Sequence, residues 1–447
     1  MIEKMKPSGI AWIGDIPENW HIKRMKYLST LKGRIGWQGL TSDEYTDVGP
    51  YLITGVDFTG GDIDWNNCVH VSEDRWVEAP EIHIQNGDLL ITKDGTVGKV
   101  AIVSGLNDKA SLNSGVLLIK THQGFDKKFL YWALLSDEFW TWFRFKNAGN
   151  STIIHLYQND FAEFSYTFPK TNEQLVIADF LDKQCAQIDS IISDIENQIE
   201  VLQSYKKSLI TETVTKGLDR SVPMKDSGIE WIGEIPMHWG LFPLKNLTST
   251  ISKGATPDDI SVDCDSIYCI RFIKAENIQN GILNNSPEFF IDKFANHQLT
   301  RSILAKNDLL FVIAGATIGK VAIMDEAFCP CNTNQAVCFI RFLDVYQEYI
   351  GFFKNVLQSN IIAEVIKLLT VQAAQPNLSM GNIANIKIPV PSEEEMEGII
   401  MFLEGSCVKI DEIIENKQSQ LVIIQEHKKS LIFEYVTGKR RVAEVKN

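Results

Sequence analysis

Two glycine-rich segments that end in lysine, residues 95–99 and 315–320, resemble loops that bind phosphate groups. A nucleotide-binding loop of that type needs the spacing G-x4-G-K followed by Ser or Thr, and here valine follows both Lys99 and Lys320. The segments therefore do not predict a nucleotide site. Two interpretations stay open: a glycine-rich hairpin whose lysine faces a phosphate of a nucleic-acid backbone, or a solvated turn.

No other segment has the residues of a catalytic centre. The methyltransferase motif Asn-Pro-Pro-aromatic, a glycine-rich cofactor loop and the patterns G-x-S-x-G and H-E-x-x-H are missing, and no acidic-plus-lysine nuclease cluster stands out. The eight cysteines, among them Cys264, Cys269, Cys329 and Cys331, lack the C-x2-C spacing of a zinc site. We therefore predict no enzymatic activity, no bound metal and free cysteine thiols.

Basic and polar residues gather in two stretches, one in each half of the chain. Amide side chains follow both lysine hairpins, and such amides can pair with the edge of an adenine. Any single member of this group has the alternative of an ordinary surface charge or core amide, so the prediction rests on the group. The candidate nucleic-acid contacts are Lys23, Arg24, Arg34, Lys93, Thr96, Lys99, Asn113, Lys253, Arg271, Lys274, Lys320, Asn334 and Gln335.

The same sequence frame occurs twice in the chain. Residues 8–20 read SGIAWIGDIPENW and residues 227–239 read SGIEWIGEIPMHW, while KKSLI occurs at both 206–210 and 428–432. Because these matches run along the whole length of each half, the halves are expected to share a fold. Between the matching segments the halves scarcely agree. A fixed frame with two different inserts suggests a protein that reads two different things at a set distance.

Each half divides into three parts. A turn-rich opening with Gly, Pro and Trp comes first, short β-type runs between turn signals follow, and a long helix comes last. The middle parts are expected to be mixed α/β domains. The predicted divisions are 1–168 for the first domain, 169–217 for the first long helix, 218–239 for a connector and the repeated opening, 240–390 for the second domain, 391–438 for the second long helix, and 439–447 for a tail.

Both long helices have start and stop signals. A proline precedes Thr171–Gln174 in the first copy and Ser392–Glu395 in the second, and each pair has the spacing of a capping box. Gly217 and Gly438 are expected to end the helices.

Apolar residues recur in these helices on a narrow seam with a seven-residue period and polar flanks. Such a seam predicts a coiled coil, in which the helix pairs with another long helix, rather than a helix lying on its own domain. Lys417 breaks the second apolar seam, so a local disturbance of the pairing is expected there. The predicted seam consists of Leu181, Ile188, Ile192, Ile195, Ile199, Leu202, Leu209, Leu403, Ile410, Ile414, Leu421, Ile424 and Leu431.

Chain connectivity sets the expected direction of the two helices. The segment from Gly217 to Trp239 is too short to return along a helix of roughly 63 Å, the length that 1.5 Å per residue gives. The helices are therefore expected to run antiparallel. The predicted fold class is α+β: two similar mixed α/β domains separated by two long antiparallel coiled-coil helices, with a pseudo-two-fold axis and a nearly circular chain path.

Composition narrows the possible functions. The net charge of −14 argues against a protein that simply coats nucleic acid, whose footprint is normally basic. The charge is compatible with a protein that recognises DNA bases through small patches while more basic partner proteins bind the phosphates. No apolar run approaches the ~20 residues that span a bilayer, and no secretory signal is visible, so we expect no membrane association and a cytoplasmic location.

These motifs together resemble the specificity subunit of type I restriction-modification systems. The resemblance rests on the doubled SGIxWIGxIPxxW, on the proline before each acidic or glutamine-bearing helix start, and on KKSLI near the end of each long helix. It covers nearly the whole chain.

The resemblance implies that each variable insert is a target-recognition domain that reads one half of a bipartite, asymmetric site in double-stranded DNA, within residues 21–168 and 240–388. It implies that the helices separate these domains and bind two modification (methyltransferase) subunits, and that restriction subunits complete the nuclease. The chain itself is expected to bind no cofactor, while S-adenosylmethionine, ATP and magnesium are expected in the partner subunits.

Two alternatives of other classes stay open. One is a freestanding sequence-specific DNA-binding protein of the same build, with no enzyme partner. The other is a coiled-coil scaffold whose globular domains bind protein or carbohydrate. The acidic charge favours the scaffold, whereas the two different inserts in a repeated frame favour a protein that recognises two DNA sequences.

Overall fold

The computed structural model describes residues 4–34, 39–147, 155–257, 260–261, 269–279, 281–370 and 377–442. The chain forms two compact units, one of Met1–Ile195 with Ser419–Asn447 and the other of Glu196–Gln418. Two long helices, Thr171–Lys216 and Glu393–Val436, contribute residues to both units. The fold class predicted from the sequence, two similar α+β domains with two long helices, is confirmed.

The first unit contains a four-stranded antiparallel sheet, in the order β10-β9-β12-β4, and a three-stranded sheet in the order β11-β5-β8. Strands β1 and β2 pair in the repeated opening, and β3 pairs with β13. The strands are β1 (Met5–Pro7), β2 (Asp15–Pro17), β3 (His21–Arg24), β4 (Ser29–Gly33), β5 (Tyr45–Ile53), β6 (Phe58–Thr59), β7 (Asp62–Ile63), β8 (Val69–Val71), β9 (Leu89–Thr92), β10 (Val100–Ile102), β11 (Ala110–Leu112), β12 (Val116–Thr121) and β13 (Ser165–Phe168). The helices are α1 (Met25–Leu28), α2 (Glu73–Val77), α3 (Lys127–Leu135), α4 (Asp137–Lys146), α5 (Gln158–Ala162) and α6 (Thr171–Lys216).

The second unit repeats this arrangement strand for strand. Its sheets have the orders β23-β22-β25-β17 and β24-β18-β21, which correspond one to one with those of the first unit. The strands are β14 (Met224–Asp226), β15 (Glu234–Pro236), β16 (Gly240–Pro243), β17 (Thr248–Lys253), β18 (Cys269–Ile273), β19 (Ile278–Gln279), β20 (Ile282–Leu283), β21 (Phe290–Asp292), β22 (Leu309–Val312), β23 (Val321–Ile323), β24 (Cys331–Thr333), β25 (Val337–Phe342) and β26 (Lys387–Val390). The helices are α7 (Lys293–Gln298), α8 (Ile350–Gln358), α9 (Asn360–Thr370), α10 (Met380–Ala384) and α11 (Glu393–Val436).

The four-stranded sheet of each unit is buried on both faces. Alternate residues of a strand point to opposite faces, so Leu89 and Ile91 of β9 join the core beneath α3 and α4, while Leu90 joins the core shared with the three-stranded sheet. Leu309 and Leu310 of β22 divide between two cores in the same way. Burial on both faces explains why these strands are continuous apolar runs in the sequence.

The long helices bury the narrow stripe that the heptads describe. From Cys185 to Lys206 in α6, and from Cys407 to Lys428 in α11, the only side chains that are not exposed are those of the two seam positions. Every residue of the predicted seam is buried or half-buried. The stripe is narrow because each helix packs mainly on one other helix in this region.

In each unit, segments of the two helices pack antiparallel. In the first unit the ring of Phe180, early in α6, lies 4.5 Å from that of Tyr435, late in α11, and Lys428 Nζ lies 2.5 Å from Asp189 Oδ1. In the second unit the equivalent ion pair joins Lys206, late in α6, to Asp411, early in α11, at 2.6 Å.

Lys417 does not prevent local pairing of the helices. Its ammonium donates to Gln198 Oε1 at 2.5 Å, so the long side chain leaves the seam and ends on a polar partner.

One of the two predicted capping boxes is present. Ser392 Oγ and the carboxylate of Glu395 exchange hydrogen bonds with each other's backbone amides at the start of α11. The box predicted at Thr171 and Gln174 is wrong. Gln174 is buried, accepts from the Asp126 amide at 2.8 Å and donates to the Pro169 carbonyl at 2.9 Å, so it fixes a neighbouring turn instead.

A tryptophan of each repeated opening joins the start of one long helix to the end of the other. In the first unit the Trp20 indole donates to Glu173 Oε1 at 3.3 Å, near the start of α6, and packs over Gly438 behind α11. In the second unit Trp239 donates to Glu395 at 3.1 Å and packs over Gly217.

Both glycines have positive φ, 73° for Gly438 and 71° for Gly217, as the left-handed cap of a helix requires. A Cβ on Gly438 would lie 2.6 Å from Pro17. Burial alone would raise the pKa of Glu395, but hydrogen bonds from Trp239, His238 and Ser392 lower it to about 2. Each tryptophan therefore packs between a carboxylate and a glycine, and the low pKa of Glu395 keeps the carboxylate beside Trp239 ionised.

The cysteine prediction needs one correction. Cys68, Cys185, Cys329, Cys331, Cys338 and Cys407 are free, but Cys269 is disulfide-bonded, and Cys264 lies outside the described residues. No group of three His, Cys, Asp or Glu side chains suited to a metal occurs in the part of the chain that the structure describes. None of the described helices combines the length and apolar character needed to span a bilayer.

Replacing Glu138 by isoleucine should stabilise the first unit. Glu138 is 3% exposed, its Oε2 has no hydrogen-bond partner among the described residues, and burial raises the pKa of its carboxyl. The equivalent residue of the second copy is the buried Ile361. An unsatisfied buried polar group costs about 1–3 kcal/mol, and a charged one costs more, so Glu138→Ile should raise the free energy of unfolding by at least about 1 kcal/mol at pH 7.5.

The gain should depend on pH. Because the folded state binds the Glu138 proton more tightly than the unfolded state, the penalty is absent below the unfolded pKa of about 4.3 and grows as pH rises through the folded pKa. Denaturant unfolding at pH 4.5 and 7.5 measures the difference, with the exposed neighbour Asp137→Asn as control. A variant less stable than the parent at pH 7.5 would contradict this reading of Glu138.

Candidate nucleic-acid interface

Three backbone segments meet where the central strands of each four-stranded sheet end. In the first unit the Lys93 amide donates to the Gly115 carbonyl at 2.8 Å, and the Leu156 amide donates to the Lys93 carbonyl at 2.9 Å. In the second unit Ile313 donates to Ala336, and Leu378 donates to Ile313, both at 2.9 Å. We call this region the loop edge: residues 92–99, 113–116 and 155–157 in the first unit, and 312–320, 334–337 and 377–379 in the second.

The two glycine-rich segments form hairpin turns at the loop edge. The Gly98 amide donates to the Thr92 carbonyl and the Gly319 amide to the Val312 carbonyl, both at 2.9 Å. Gly98 and Gly319 have φ of 82° and 90°, and a Cβ on Gly98 would lie 2.6 Å from the Trp140 ring. Glycine is therefore required here by the turn and by close packing, which explains the resemblance to a phosphate loop without a nucleotide site.

The hairpin lysines differ between the units. Lys99 is exposed and its Nζ lies 3.4 Å from the Phe58 carbonyl, while the Thr96 hydroxyl donates to the Gly55 carbonyl at 3.0 Å. Lys320 and Lys93 are half-buried. All four predicted contacts lie at the loop edge.

The predicted asparagines have a structural task. Asn113 Oδ1 accepts from the Gly115 amide, and Asn334 Oδ1 from the Ala336 amide, both at 3.1 Å, so each closes the turn before β12 or β25. Asn113 also donates to the Tyr45 hydroxyl at 3.0 Å. For Asn113 the prediction of an adenine contact is corrected, because its carboxamide is used on both sides within the domain.

The residue that follows Asn113 or Asn334 in each turn has an exposed side chain. It is Ser114 in the first unit and Gln335 in the second, and Gln335 Oε1 accepts from the Thr256 hydroxyl.

Two predicted arginines are buried and need correction. Arg34 is 5% exposed, and its Nε donates to the Leu112 carbonyl at 2.8 Å; burial lowers the pKa of its guanidinium. Arg271 is 9% exposed, donates to the Pro287 carbonyl at 3.3 Å and lies 3.3 Å from Glu288. Both hold strands or loops of their own domain together, so neither is available to a nucleic acid in this conformation.

The other candidates are spread over the surface. Lys253 is exposed at the end of β17, next to the loop edge. Lys23 lies over the Phe125 ring at 4.8 Å, and Arg24 pairs with Glu163 at 2.9 Å, both on β3 and outside the loop edge. Lys274 Nζ lies 3.7 Å from the Phe289 ring centroid.

The structure adds a hydrogen-bonded histidine–aspartate pair to the loop edge that the sequence did not indicate. His155 Nδ1 lies 2.6 Å from Asp94 Oδ1, although 61 residues separate them in the chain. Together with Lys93 and Tyr157 they line a shallow cleft of about 280 Å³. No local spacing could have revealed this pair, because only the folding of residues 155–157 onto the hairpin brings it together.

Comparison with known proteins identifies the domain type. Residues 17–201 and 236–422 match the model of the type I restriction modification DNA specificity domain. The chain is 25% identical over 441 residues to the type I restriction enzyme MjaVIII specificity subunit of Methanocaldococcus jannaschii, covering 96% of this chain and 94% of that protein. It is 26% identical over 364 residues to the type I restriction enzyme EcoBI specificity subunit of Escherichia coli, covering 78% of this chain and 73% of that protein.

The fold comparison agrees with these matches. A chain in a solved structure on complex assembly and conformational transition of the type I restriction-modification system aligns with a TM-score of 0.70 at 12% identity, over 95% of this chain and 99% of that chain. Because the family model covers most of both halves, the doubled sequence frame corresponds to a doubled specificity domain. The chain belongs to the family of type I restriction-modification DNA specificity subunits, whose role is DNA sequence specificity.

Proposed function

We propose that this chain reads a bipartite, asymmetric site in double-stranded DNA, with one half-site for the α/β domain of each unit. It positions two modification subunits and, with them, the restriction subunits on that site. The chain is a non-catalytic subunit, and S-adenosylmethionine, ATP and magnesium belong to its partners. The complex works in the cytoplasm.

The observation that carries this proposal is the loop edge. Its backbone hydrogen bonds occur at equivalent residues in both domains. The bonds donated by the amides of Lys93 and Ile313, for example, are 2.8 and 2.9 Å long. Its exposed side chains differ. Similar backbone frames let two domains approach a duplex in the same way, and different side chains let them select different bases.

The acidic charge of the chain fits a reader that depends on partners. Phosphate contacts supply much of the affinity for DNA, and the net charge of −14 opposes them. The modification subunits therefore hold most of the phosphates, while this chain supplies base contacts.

A repeated apolar surface on the long helices supports two copies of one partner. Ile191 and Ile423 are exposed in the first unit, and their repeat equivalents Ile413 and Val201 are exposed in the second. Ile191 follows Asp189 by two residues, so helical geometry puts it on the flank opposite to the ion pair with Lys428.

Ile423 lies on the same flank of the helix pair as Ile191, within about one helical turn of it along the helix axis. Each unit thus offers a pair of exposed apolar side chains at equivalent positions outside its seam, Ile191 with Ile423 in one and Ile413 with Val201 in the other. Similar surfaces at equivalent positions suit two copies of the same partner, so we assign one modification subunit to each unit.

Exchanging one reader should change one half of the recognised site. Replacement of residues 240–388 by the matching region of a relative with another specificity should leave the first half-site unchanged, because the first domain folds on its own core. Methylation mapping of DNA from cells that carry the exchanged chain and its partner subunits gives the motif. A motif changed in both halves, or in neither, would contradict the division of the two readers.

Charges in the apolar surface should remove one partner copy at a time. Ile191→Asp and Ile413→Asp each place a charge where an apolar contact is proposed, and neither position is in the seam, so the chain should stay folded. Native mass spectrometry should show one modification subunit bound instead of two, and none for the double variant. Ser190→Asp, also exposed on α6, is the control. Two bound subunits in the double variant would refute this surface.

A further inference from the structure

We infer that three repeat-equivalent positions of the loop edge determine which base pairs each domain accepts. This inference rests on the proposed function and names the residues that carry its specificity. The positions are 94, 114 and 155 in the first domain, occupied by Asp94, Ser114 and His155, and 314, 335 and 377 in the second, occupied by Ala314, Gln335 and Asn377.

The backbone hydrogen bonds that flank these positions recur in both domains, although the hairpin that contains residue 314 is one residue longer than the hairpin that contains residue 94. In the first domain the turn amide of residue 115 donates to Asn113 Oδ1, and in the second that of residue 336 donates to Asn334 Oδ1, both at 3.1 Å. The Thr92 amide donates to the Lys99 carbonyl, and the Val312 amide donates to the Lys320 carbonyl, both at 2.9 Å. The side chains at these positions therefore project from equivalent turns and strand ends and differ in chemistry.

The side chains at these positions reach the surface. Ser114, Gln335 and Asn377 are exposed, and the Asp94 and His155 side chains are 37% and 38% exposed. By contrast the turn asparagine Asn113 is held within its domain, and so is the buried Arg34. The exposed set, and not the residues that fix the turns, can meet the edge of a base pair.

The first domain presents a carboxylate. His155 holds the Asp94 Oδ1 atom at 2.6 Å and so orients the carboxylate. No described residue forms a hydrogen bond with Oδ2, so this atom can accept one from a base. In the major groove a carboxylate accepts from the N4 amino group of cytosine. The first half-site therefore contains a C·G pair that Asp94 reads, with His155 as the positioning residue.

The second domain presents an amide at the equivalent edge. Gln335 is exposed, and the Thr256 hydroxyl donates to its Oε1, which fixes the carboxamide. A glutamine amide matches the donor and acceptor of adenine in the major groove. Position 314 is alanine, so no carboxylate competes there. The second half-site therefore contains an A·T pair that Gln335 reads.

The test exchanges residues between equivalent positions of this chain. The variants are Asp94→Ala with His155→Asn, which gives the first domain the residues of the second, and Gln335→Ser, which gives the second domain the residue at 114. Each full-length variant is assembled with its modification subunits, and methylation is mapped base by base on a library of duplexes.

The double variant should lose discrimination at one C·G pair of the first half-site, and Gln335→Ser at one A·T pair of the second. A single good base contact supplies a discrimination of roughly 5- to 150-fold, and the preference at that pair should fall by that factor while the other half-site stays unchanged. His122→Asn is the matched control. This exposed histidine follows β12 at the end away from the turn, where it bonds with the Thr30 hydroxyl at 2.9 Å, and its variant should keep the parent motif.

Several results would overturn the inference. Parent specificity in both variants, relaxation at pairs of other identity, or an equal effect of His122→Asn would each do so. Because position 335 is exposed, Gln335→Ser should keep the parent melting temperature and so tests the inference even if the double variant unfolds. A parent complex that methylates no defined motif would overturn the proposed function, and this inference with it.

Discussion

The interaction on which each unit depends is the packing of one tryptophan between two helix ends. Trp20 and Trp239 each donate to a carboxylate near the start of one long helix and cover the glycine behind the end of the other. The antiparallel direction of the helices in each unit makes such a contact possible, since only then do a start and an end lie together. Both tryptophans are fully buried, so the repeated opening is conserved between the halves because it joins the two helices.

Because these contacts stabilise the frame of each unit, the exposed side chains of the loop edge can differ between the two units. The sheets keep their strand order and the turns keep their backbone hydrogen bonds, because those are made by main-chain atoms and by Asn113 and Asn334. Exposed side chains contribute little to stability. Asp94 in one domain and Gln335 in the other can therefore give similar frames different chemistry, as two different half-sites would require.

The sequence predicted the parts of the fold whose signals are local and periodic. Heptads identified both long helices, and the repeat showed that the two domains are alike, because periodicity and self-similarity can be seen without knowing any tertiary contact. Features decided by distant contacts were missed. Arg34 looked like a surface charge but is buried against Leu112, Gln174 reaches Asp126 instead of capping its helix, and Asp94 meets His155 only in the folded domain.

The most direct test of a two-reader specificity subunit is the methylome of the host with and without this gene. Deletion should abolish methylation at one asymmetric motif made of two half-sites with an unspecified spacer, and should leave every other methylated motif unchanged. Restoring the gene should restore that motif. An unchanged methylome, or the loss of a single uninterrupted palindromic motif, would contradict the central claim that two different domains of one chain each read half of a DNA site.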